Sequence, residues 1–139
     1  MEMRKAVMED VVQMSKMLEV FTTPNFDYSK VERISKYVQS GDYYVAAESD
    51  SIVGCMSLIE NKGSMYIDSI VSIKKGAGKL MINFAVDRCK TENFLKLWCW
   101  SLARYDAVGF YRKMGFEEIF LLKNQWFGED CYIIGKVIK

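Results

Sequence analysis

The sequence predicts an α+β fold, a mixed and mostly antiparallel sheet in the element order β-α-α-β-β-β-α-β-α-β-β. Three observations predict it. Two helix-period stretches precede three strand-period stretches separated by short polar turns. A glycine-bearing loop, Lys74-Lys75-Gly76-Ala77-Gly78-Lys79, then opens an amphipathic stretch that leads into a dense apolar one, as in a β-α-β crossover. Finally, Asp106 to Met114 reads as a short helix stopped by Gly115, ahead of a closing hairpin. No linker, repeat or low-complexity stretch interrupts this order, so residues 1–139 read as one domain.

Arg4 to Met8 reads as the first strand. Asp10 caps the first helix, with Gln13 completing a capping box, and Val11, Met14, Met17, Leu18 and Phe21 form its apolar stripe. Pro24, the only proline, marks the break after it. The second helix starts at Ser29 with Glu32 as its box partner. Val31, Ile34, Tyr37 and Val38 make its buried face, and Gly41 is its stop. Tyr43 to Glu48 and Ile52 to Ile59 flank the turn Ser49-Asp50-Ser51. Asn61-Lys62-Gly63 then turns the chain into Met65 to Ser72, the third strand of an antiparallel meander.

After the glycine loop, Lys79, Asn83, Asp87 and Lys90 line one face of a helix. Met81, Ile82, Ala85, Val86 and Cys89 line the other. Phe94 to Trp100 is an apolar strand. Glu117 to Lys123 and Cys131 to Ile138 form the last hairpin around the loop Asn124 to Asp130.

Composition excludes several function classes. Half of the 139 residues are hydrophobic and 27% are charged, the profile of a soluble globular protein. A net charge of +1 argues against nucleic acid as the main partner. The N-terminus lacks the apolar core of a signal peptide, and no apolar run is long enough for a membrane span. Cys55, Cys89, Cys99 and Cys131 form no CxxC pair and sit among apolar neighbours, as reduced thiols of a cytoplasmic protein do. There is no histidine at all, which removes Ser-His-Asp and Cys-His catalysis and imidazole bases. No residue cluster has the spacing of a metal site, so chemistry must rest on Tyr, Asp, Glu, Lys, Cys, backbone dipoles or water.

Two segments carry the candidate chemistry. Gly76 and Gly78 lack Cβ atoms, so their turn can aim successive N–H groups at one point, and the following helix adds its positive dipole end. A pyrophosphate fits such a site, with Lys74, Lys75 and Lys79 around it. Taken alone, the loop also fits a plain tight turn with solvated lysines. No Gly-Lys-Ser/Thr follows, which disfavours a P-loop. In the second segment Tyr111 stands one turn before Gly115-Phe116. Gly109 weakens that helix by about 1 kcal/mol relative to alanine, so a close packing or contact should compensate.

Together and in this order the two segments resemble the signatures of the GNAT-type N-acetyltransferases. Gly76 and Gly78 match the glycine positions of the family's phosphate loop. Ala107, Tyr111, Gly115 and Phe116 match all four positions of its helix pattern. Ile73 replaces the usual Arg or Gln of the loop, and Arg104 stands where Asn is common. The element order matches the GNAT arrangement from end to end.

The resemblance implies an enzyme that moves acetyl from acetyl-CoA to a primary amine by direct attack in a ternary complex, with no metal. It implies splayed central strands flanked by helices, Met65 to Ser72 and Leu95 to Ser101 being those strands. Backbone groups of Ile70, Val71 and Ser72 would pair with the pantetheine arm, and a strand N–H would serve as oxyanion donor. Lys74, Lys75, Gly76, Ala77, Gly78, Lys79, Arg104 and Phe110 would complete the cofactor site. Tyr111, with an ordinary pKa near 10, would protonate the thiolate. A core aromatic packed beside Phe110 and Phe116 is the competing reading of that residue.

Asp68, or Glu60 at the preceding turn, is the candidate base for the acceptor ammonium. Trp98 and Trp100 alternate on one strand and so share a face, as core or cleft wall. Trp126, Phe127, Glu129 and Asp130 occupy the last loop, where acceptor contacts often occur in this family. The acceptor would be a small-molecule or peptide amine, and the protein a monomer or homodimer. The rival reading is a non-catalytic acyl-CoA-binding or partner-binding domain on the same fold, favoured by Ile73 and Arg104 and disfavoured by the intact Tyr111.

Overall fold

A computed structural model of the chain describes residues 1–139. Its strands are β1 (Glu2–Lys5), β2 (Tyr43–Glu48), β3 (Ser51–Asn61), β4 (Ser64–Ser72), β5 (Lys96–Leu102), β6 (Glu118–Trp126) and β7 (Glu129–Val137). Its helices are α1 (Val11–Leu18), α2 (Val31–Gln39), α3 (Ala77–Thr91) and α4 (Val108–Lys113). The seven strands lie in the order β1-β2-β3-β4-β5-β7-β6. The β4–β5 pair is parallel, while β1–β2, β2–β3, β5–β7 and β6–β7 are antiparallel. Lys62 and Gly63, both at positive φ, make the tight turn between β3 and β4, and so short a link requires antiparallel strands. The α+β class, the element order and the mixed sheet are as the sequence predicts. No helix is long and apolar enough to cross a membrane.

The chain divides into two compact units, Met1–Leu58 with Ser69–Phe84 and Ile59–Asp68 with Ala85–Lys139. In the first, Met14 and Leu18 of α1 and Ile34 of α2 are fully buried against Tyr43, Val45 and Cys55. On β3, a Cβ at Gly54 would stand 2.9 Å from the Met81 methyl of α3 and 3.0 Å from the Val71 carbonyl oxygen of β4. Glycine is therefore required for α3 to sit this close. In the second unit Leu97, Cys99, Tyr111, Phe116 and Ile134 are buried, and β5 pairs with β7 from Lys96↔Val137 to Leu102↔Cys131.

Several boundaries differ from the sequence reading. The first strand is Glu2–Lys5, not Arg4 to Met8, because Met8–Asp10 winds into a 3-10 turn. Asp10 makes no capping bond to α1. Its carboxylate accepts from the Val7 N–H at 2.8 Å and from both Arg4 guanidinium nitrogens at 2.8 and 3.0 Å. Gln13 reaches instead to β3, where its Oε1 accepts from the Ile52 N–H at 3.2 Å. Ser29 is likewise not a cap, since it binds Asp27 and α2 starts at Val31, which is exposed.

β5 begins at Lys96 rather than Phe94, leaving Leu95 exposed. Ala103–Tyr105 forms a 3-10 turn and Asp106 adopts a left-handed conformation, so α4 starts only at Val108. The last hairpin is longer at its tip than expected: β6 runs to Trp126 and β7 starts at Glu129, with Phe127 and Gly128 in the turn. Gly41 and Gly115 do take the left-handed conformation expected after α2 and α4.

Asp10 ties β1 to the turn before α1, and the Arg4 guanidinium holds its carboxyl below the usual aspartate range. A depressed pKa stabilises the fold above the unfolded-state value, near 3.9, and that contribution is lost as pH falls below it. We expect Asp10→Asn to cost about 1–2 kcal/mol at neutral pH. The gap between wild type and variant should close in acid, as urea melts over a pH series will show.

Candidate active site

β4 is paired with β5 over only three positions, Met65↔Leu97, Tyr66↔Trp98 and Ile67↔Cys99. The β4–β5 pairs end at Ile67, while β4 runs on to Ser72 and β5 keeps its ladder with β7 to Leu102. The β4–β5 ladder is thus three pairs long. Ile70 and Val71 are half-buried and Ser72 is exposed in the stretch beyond it. The stretch is pinned from its other side. The Ser69 N–H donates to Ser57 Oγ at 3.0 Å, and Ser69 Oγ lies 3.0 Å from Ser57 Oγ and 2.8 Å from the Tyr43 hydroxyl. Arg33 donates to that hydroxyl at 3.3 Å while its guanidinium stacks on Tyr28 and Tyr37, 4.6 and 4.8 Å from the ring centres. Beyond Ser72, the Ile73 N–H donates to the Val53 carbonyl at 2.8 Å.

The glycine loop follows directly. Gly76 has φ +92°, a conformation that a side chain would strain, and its carbonyl accepts from the Leu80 N–H at 3.0 Å. The Ala77 N–H donates back to the Lys74 carbonyl at 3.1 Å. Gly78 and Lys79 fall in the first turn of α3, where helical N–H groups have no acceptor within the helix. Ala77 is fully buried. Lys74 is ion-paired with Glu48, whose carboxyl is held below its usual range by that ammonium. Lys75 and Lys79 are exposed, as is Ile73. A backbone cradle with two free lysines beside it fits a pyrophosphate without the usual Arg or Gln.

In the second unit, Tyr111 lies on α4 with its ring edge-on to Phe110 and Phe116, each 5.2 Å away between centres. The tyrosine is 5% exposed, and its hydroxyl hydrogen-bonds to Cys99. Burial, reinforced by Cys99, lifts this phenol well above its ordinary value, and burial pushes the Cys99 thiol up to about 12. Both groups therefore hold their protons at neutral pH. Phe110 is partly exposed on the same helix, and Gly109 has open space where a Cβ would stand.

The remaining sequence candidates are placed unevenly. Asp68 is half-buried, one residue past the last β4–β5 pair. Glu60 lies within β3 rather than in a turn and is exposed. Arg104 has local partners. Its Nε donates to Glu129 at 2.7 Å and its guanidinium stacks on Tyr105. That same pairing engages Glu129. Asp130 accepts from the Asn124 N–H at 2.9 Å and so shapes the hairpin tip. Trp126 and Phe127 pack on each other, with ring centres 4.8 Å apart.

Trp98 and Trp100 do share a face, 6.3 Å apart between ring centres. Sequence reading missed their company. Tyr66 stacks on Trp98 at 4.6 Å, and Trp98 Nε1 donates to Ser64 Oγ at 2.9 Å. Ser64, Lys96, Trp98, Glu118, Phe120, Ile133 and Gly135 line a concavity of about 230 Å³ on this face. The parallel register that brings Tyr66 beside Trp98 leaves no mark in a single sequence. The Ser57–Ser69–Tyr43 chain was also missed. Its only signal was two serines in otherwise apolar strands.

The family profile of the acetyltransferase (GNAT) domain matches residues 39–118. The chain belongs to the GNAT family. This GNAT protein is therefore an acetyltransferase, with acetyl-CoA as the donor the family uses. Among curated protein sequences there is no significant match. Ard1 from Thermoplasma volcanium superposes with a TM-score of 0.85 at 17% identity, over 99% of this chain and 97% of that one. The ribosomal-protein-alanine N-acetyltransferase from Brucella melitensis gives 0.82 at 18% identity, over 99% of each chain. Arabidopsis thaliana Naa50, solved with the bisubstrate analogue CoA-Ac-MVNAL, gives 0.75 at 22% identity, over 97% of each. At these identities the likeness is one of fold.

Removing the Ser57 hydroxyl leaves the buried Ser69 N–H without its acceptor. We expect Ser57→Ala to destabilise the GNAT fold by about 1–3 kcal/mol. Tyr43→Phe should cost less, because the two serines still satisfy each other. Urea unfolding of the two variants with unchanged m-values will test the order.

Proposed function

We propose that this GNAT protein transfers acetyl from acetyl-CoA to a primary amine, of a small molecule or peptide, by direct attack in a ternary complex. The observation that carries the reading is the unpaired run Ile70–Ser72 leading straight into Gly76 and the head of α3. An amide-bearing arm followed by a pyrophosphate needs these two kinds of backbone site in this sequence. Backbone groups of Ile70, Val71 and Ser72 bind the arm as an added strand. The N–H groups of Gly78 and Lys79, with the α3 dipole and the Lys75 and Lys79 ammoniums, hold the phosphates. Bound there, acetyl-CoA supplies an activated acyl group and a thiolate leaving group.

The chain supplies the proton handling. Asp68 takes a proton from the acceptor ammonium, directly or through water, so that the amine can attack the acyl carbon. Tyr111 gives its proton to the sulfur as the carbon–sulfur bond breaks, and the second proton that the nitrogen sheds on becoming an amide restores the phenol. Phe110, partly exposed beside it, packs against the cofactor. Arg104, half exposed, contacts the cofactor by exchanging its surface partner Glu129 for a phosphate. A second reading, acyl-CoA binding without catalysis, is favoured by one observation. The loop has lost a cationic side chain at Ile73 and commits Lys74 to Glu48.

Incubation with acetyl-CoA and a panel of amines, with free thiol as readout, separates the two readings. Binding is tested first: Gly78→Asp adds a negative charge at the phosphate position and should weaken CoA binding at least tenfold by calorimetry. A folded variant that binds like wild type would falsify the assignment. Catalysis is tested second. Tyr111→Phe keeps the ring and its packing, so CoA affinity and melting temperature should change little while turnover drops about a hundredfold or more. The loss should shrink with acyl donors whose thiols leave readily. A purely structural tyrosine gives lower stability and near-normal turnover instead.

A further inference from the structure

One guanidinium ties two distant pieces of the first unit together. Arg33 stands on α2 one turn before Tyr37, so the two side chains share a helix face. Its guanidinium lies 4.8 Å from the centre of the Tyr37 ring, 4.6 Å from that of Tyr28 and 5.6 Å from that of Phe26. Phe26 and Tyr28, with ring centres 4.6 Å apart, belong to the segment between α1 and α2. The same guanidinium reaches the sheet, where Nη1 donates to the Tyr43 hydroxyl at 3.3 Å. Tyr43 of β2 is the register partner of Ser57 of β3, and the Ser69 hydroxyl of β4 is in contact with both side chains. Three strands are thus joined at one level by hydroxyl groups, and the chain ends on the residue just before Ile70.

A guanidinium can only donate, so the direction of this chain is set at Arg33. The phenol oxygen accepts from Arg33, and the phenol hydrogen goes to Ser69 Oγ at 2.8 Å. Ser69 in turn donates to Ser57 Oγ twice, from its hydroxyl and from its N–H, each at 3.0 Å. Reversed, the chain would aim the phenol hydrogen at the guanidinium. Tyr43 and Ser57 are fully buried, and in such surroundings each donated bond polarises the next. We propose that Arg33 is a positioning residue for cofactor binding. Through Tyr43 and Ser69 it fixes the point on β4 from which Ile70, Val71 and Ser72 present their backbone to the CoA arm. This role rests on the cofactor reading given above. Arg33 itself touches no reacting atom. The three rings hold its planar fork in place, and through that fork the segment between α1 and α2 bears on the donor strand.

Calorimetry of CoA binding to the full chain tests it, each variant being titrated well below its own melting temperature. Arg33→Met keeps an apolar stem among the rings and removes the donor. It should weaken CoA binding by about one hydrogen bond, roughly fivefold. Tyr43→Phe breaks the same link by a single oxygen, without disturbing the rings, and should weaken binding to a similar extent. The double variant should lose no more than either single one, because both act on one chain. Arg33→Lys, which retains a donor, should recover most of the affinity. In turnover, the loss should appear in the KM for acetyl-CoA, with the KM for the amine near that of wild type. A merely structural arginine predicts a lower melting temperature with unchanged CoA affinity in the folded protein. That result, alongside a weakened Gly78→Asp, overturns the role of Arg33 and leaves the cofactor reading standing. Additive losses in the double variant overturn it as well, since Arg33 would then act by another path. Wild-type affinity in Gly78→Asp overturns the cofactor reading, and this role with it.

Discussion

The arrest of the β4–β5 ladder after Ile67 is the constraint on which the rest of the structure depends. An unpaired run of backbone in a sheet interior is expensive unless something holds the strand and something else uses its open groups. The holding is visible. Ser57 accepts the Ser69 N–H with its side chain, Tyr43 closes the chain of hydroxyls, and Val53 accepts the Ile73 N–H. These bonds fix β4 from the β3 side throughout the stretch where β5 gives it nothing. A serine at position 57 is therefore worth more than its polarity suggests: it replaces a main-chain acceptor at the point where the strand changes partners.

The same unit explains why the glycine loop sits where it does. Only four residues separate Ser72 from the start of α3, so its first turn inherits the placement of β4. Gly54 sets the spacing, because any side chain there would collide with Val71 and Met81 and push helix and strand apart. The loop also shows how a lost side chain can be offset. With Ile73 apolar and Lys74 neutralised by Glu48, what remains at the head of α3 is a positive-φ glycine, unsatisfied N–H groups and two exposed lysines. Backbone donors are fixed by the helix itself and cost no side-chain entropy to position. A site built on them tolerates the substitution better than one built on a single guanidinium.

The fold was legible in the sequence wherever a signal was local. Amphipathic periods placed the helices, and Gly41 and Gly115 marked two helix ends correctly because only a positive-φ residue fits there. Caps misled, since Asp10 and Ser29 have the right chemistry for a helix start but found stronger partners in Arg4 and Asp27. Tertiary bonds that override local ones cannot be read from spacing. The hairpin tip was cut short in the reading because Asn124 and Gly128 look like loop residues, although the strands resume pairing at Trp126↔Glu129 after a register shift. For the candidate site, the glycine loop and the Tyr111 segment stand out in the sequence only through their motifs. The Arg104–Glu129 pair, the Tyr66–Trp98 stack and the buried hydroxyl chain arise from distant segments and were invisible.

Tyr111 raises a physical question that its neighbour helps to answer. A phenol is a weak acid to offer a thiolate, because ordinary thiols titrate near 8.5 and phenols near 10, so transfer in water runs uphill. Burial lifts Tyr111 still further. Cys99 gauges what the same surroundings do to sulfur: its thiol, in contact with the phenol, is pushed up to about 12. Desolvation disfavours a thiolate as it disfavours a phenolate, since water no longer solvates either charge. In the proposed reaction, Tyr111 therefore faces a leaving sulfur made more basic by the very burial that makes the phenol less acidic. Its hydroxyl can stabilise the developing charge by a short hydrogen bond before it gives the proton up. Giving the proton requires the hydroxyl to leave Cys99, and the neutral thiol is a weak partner that releases it at small cost.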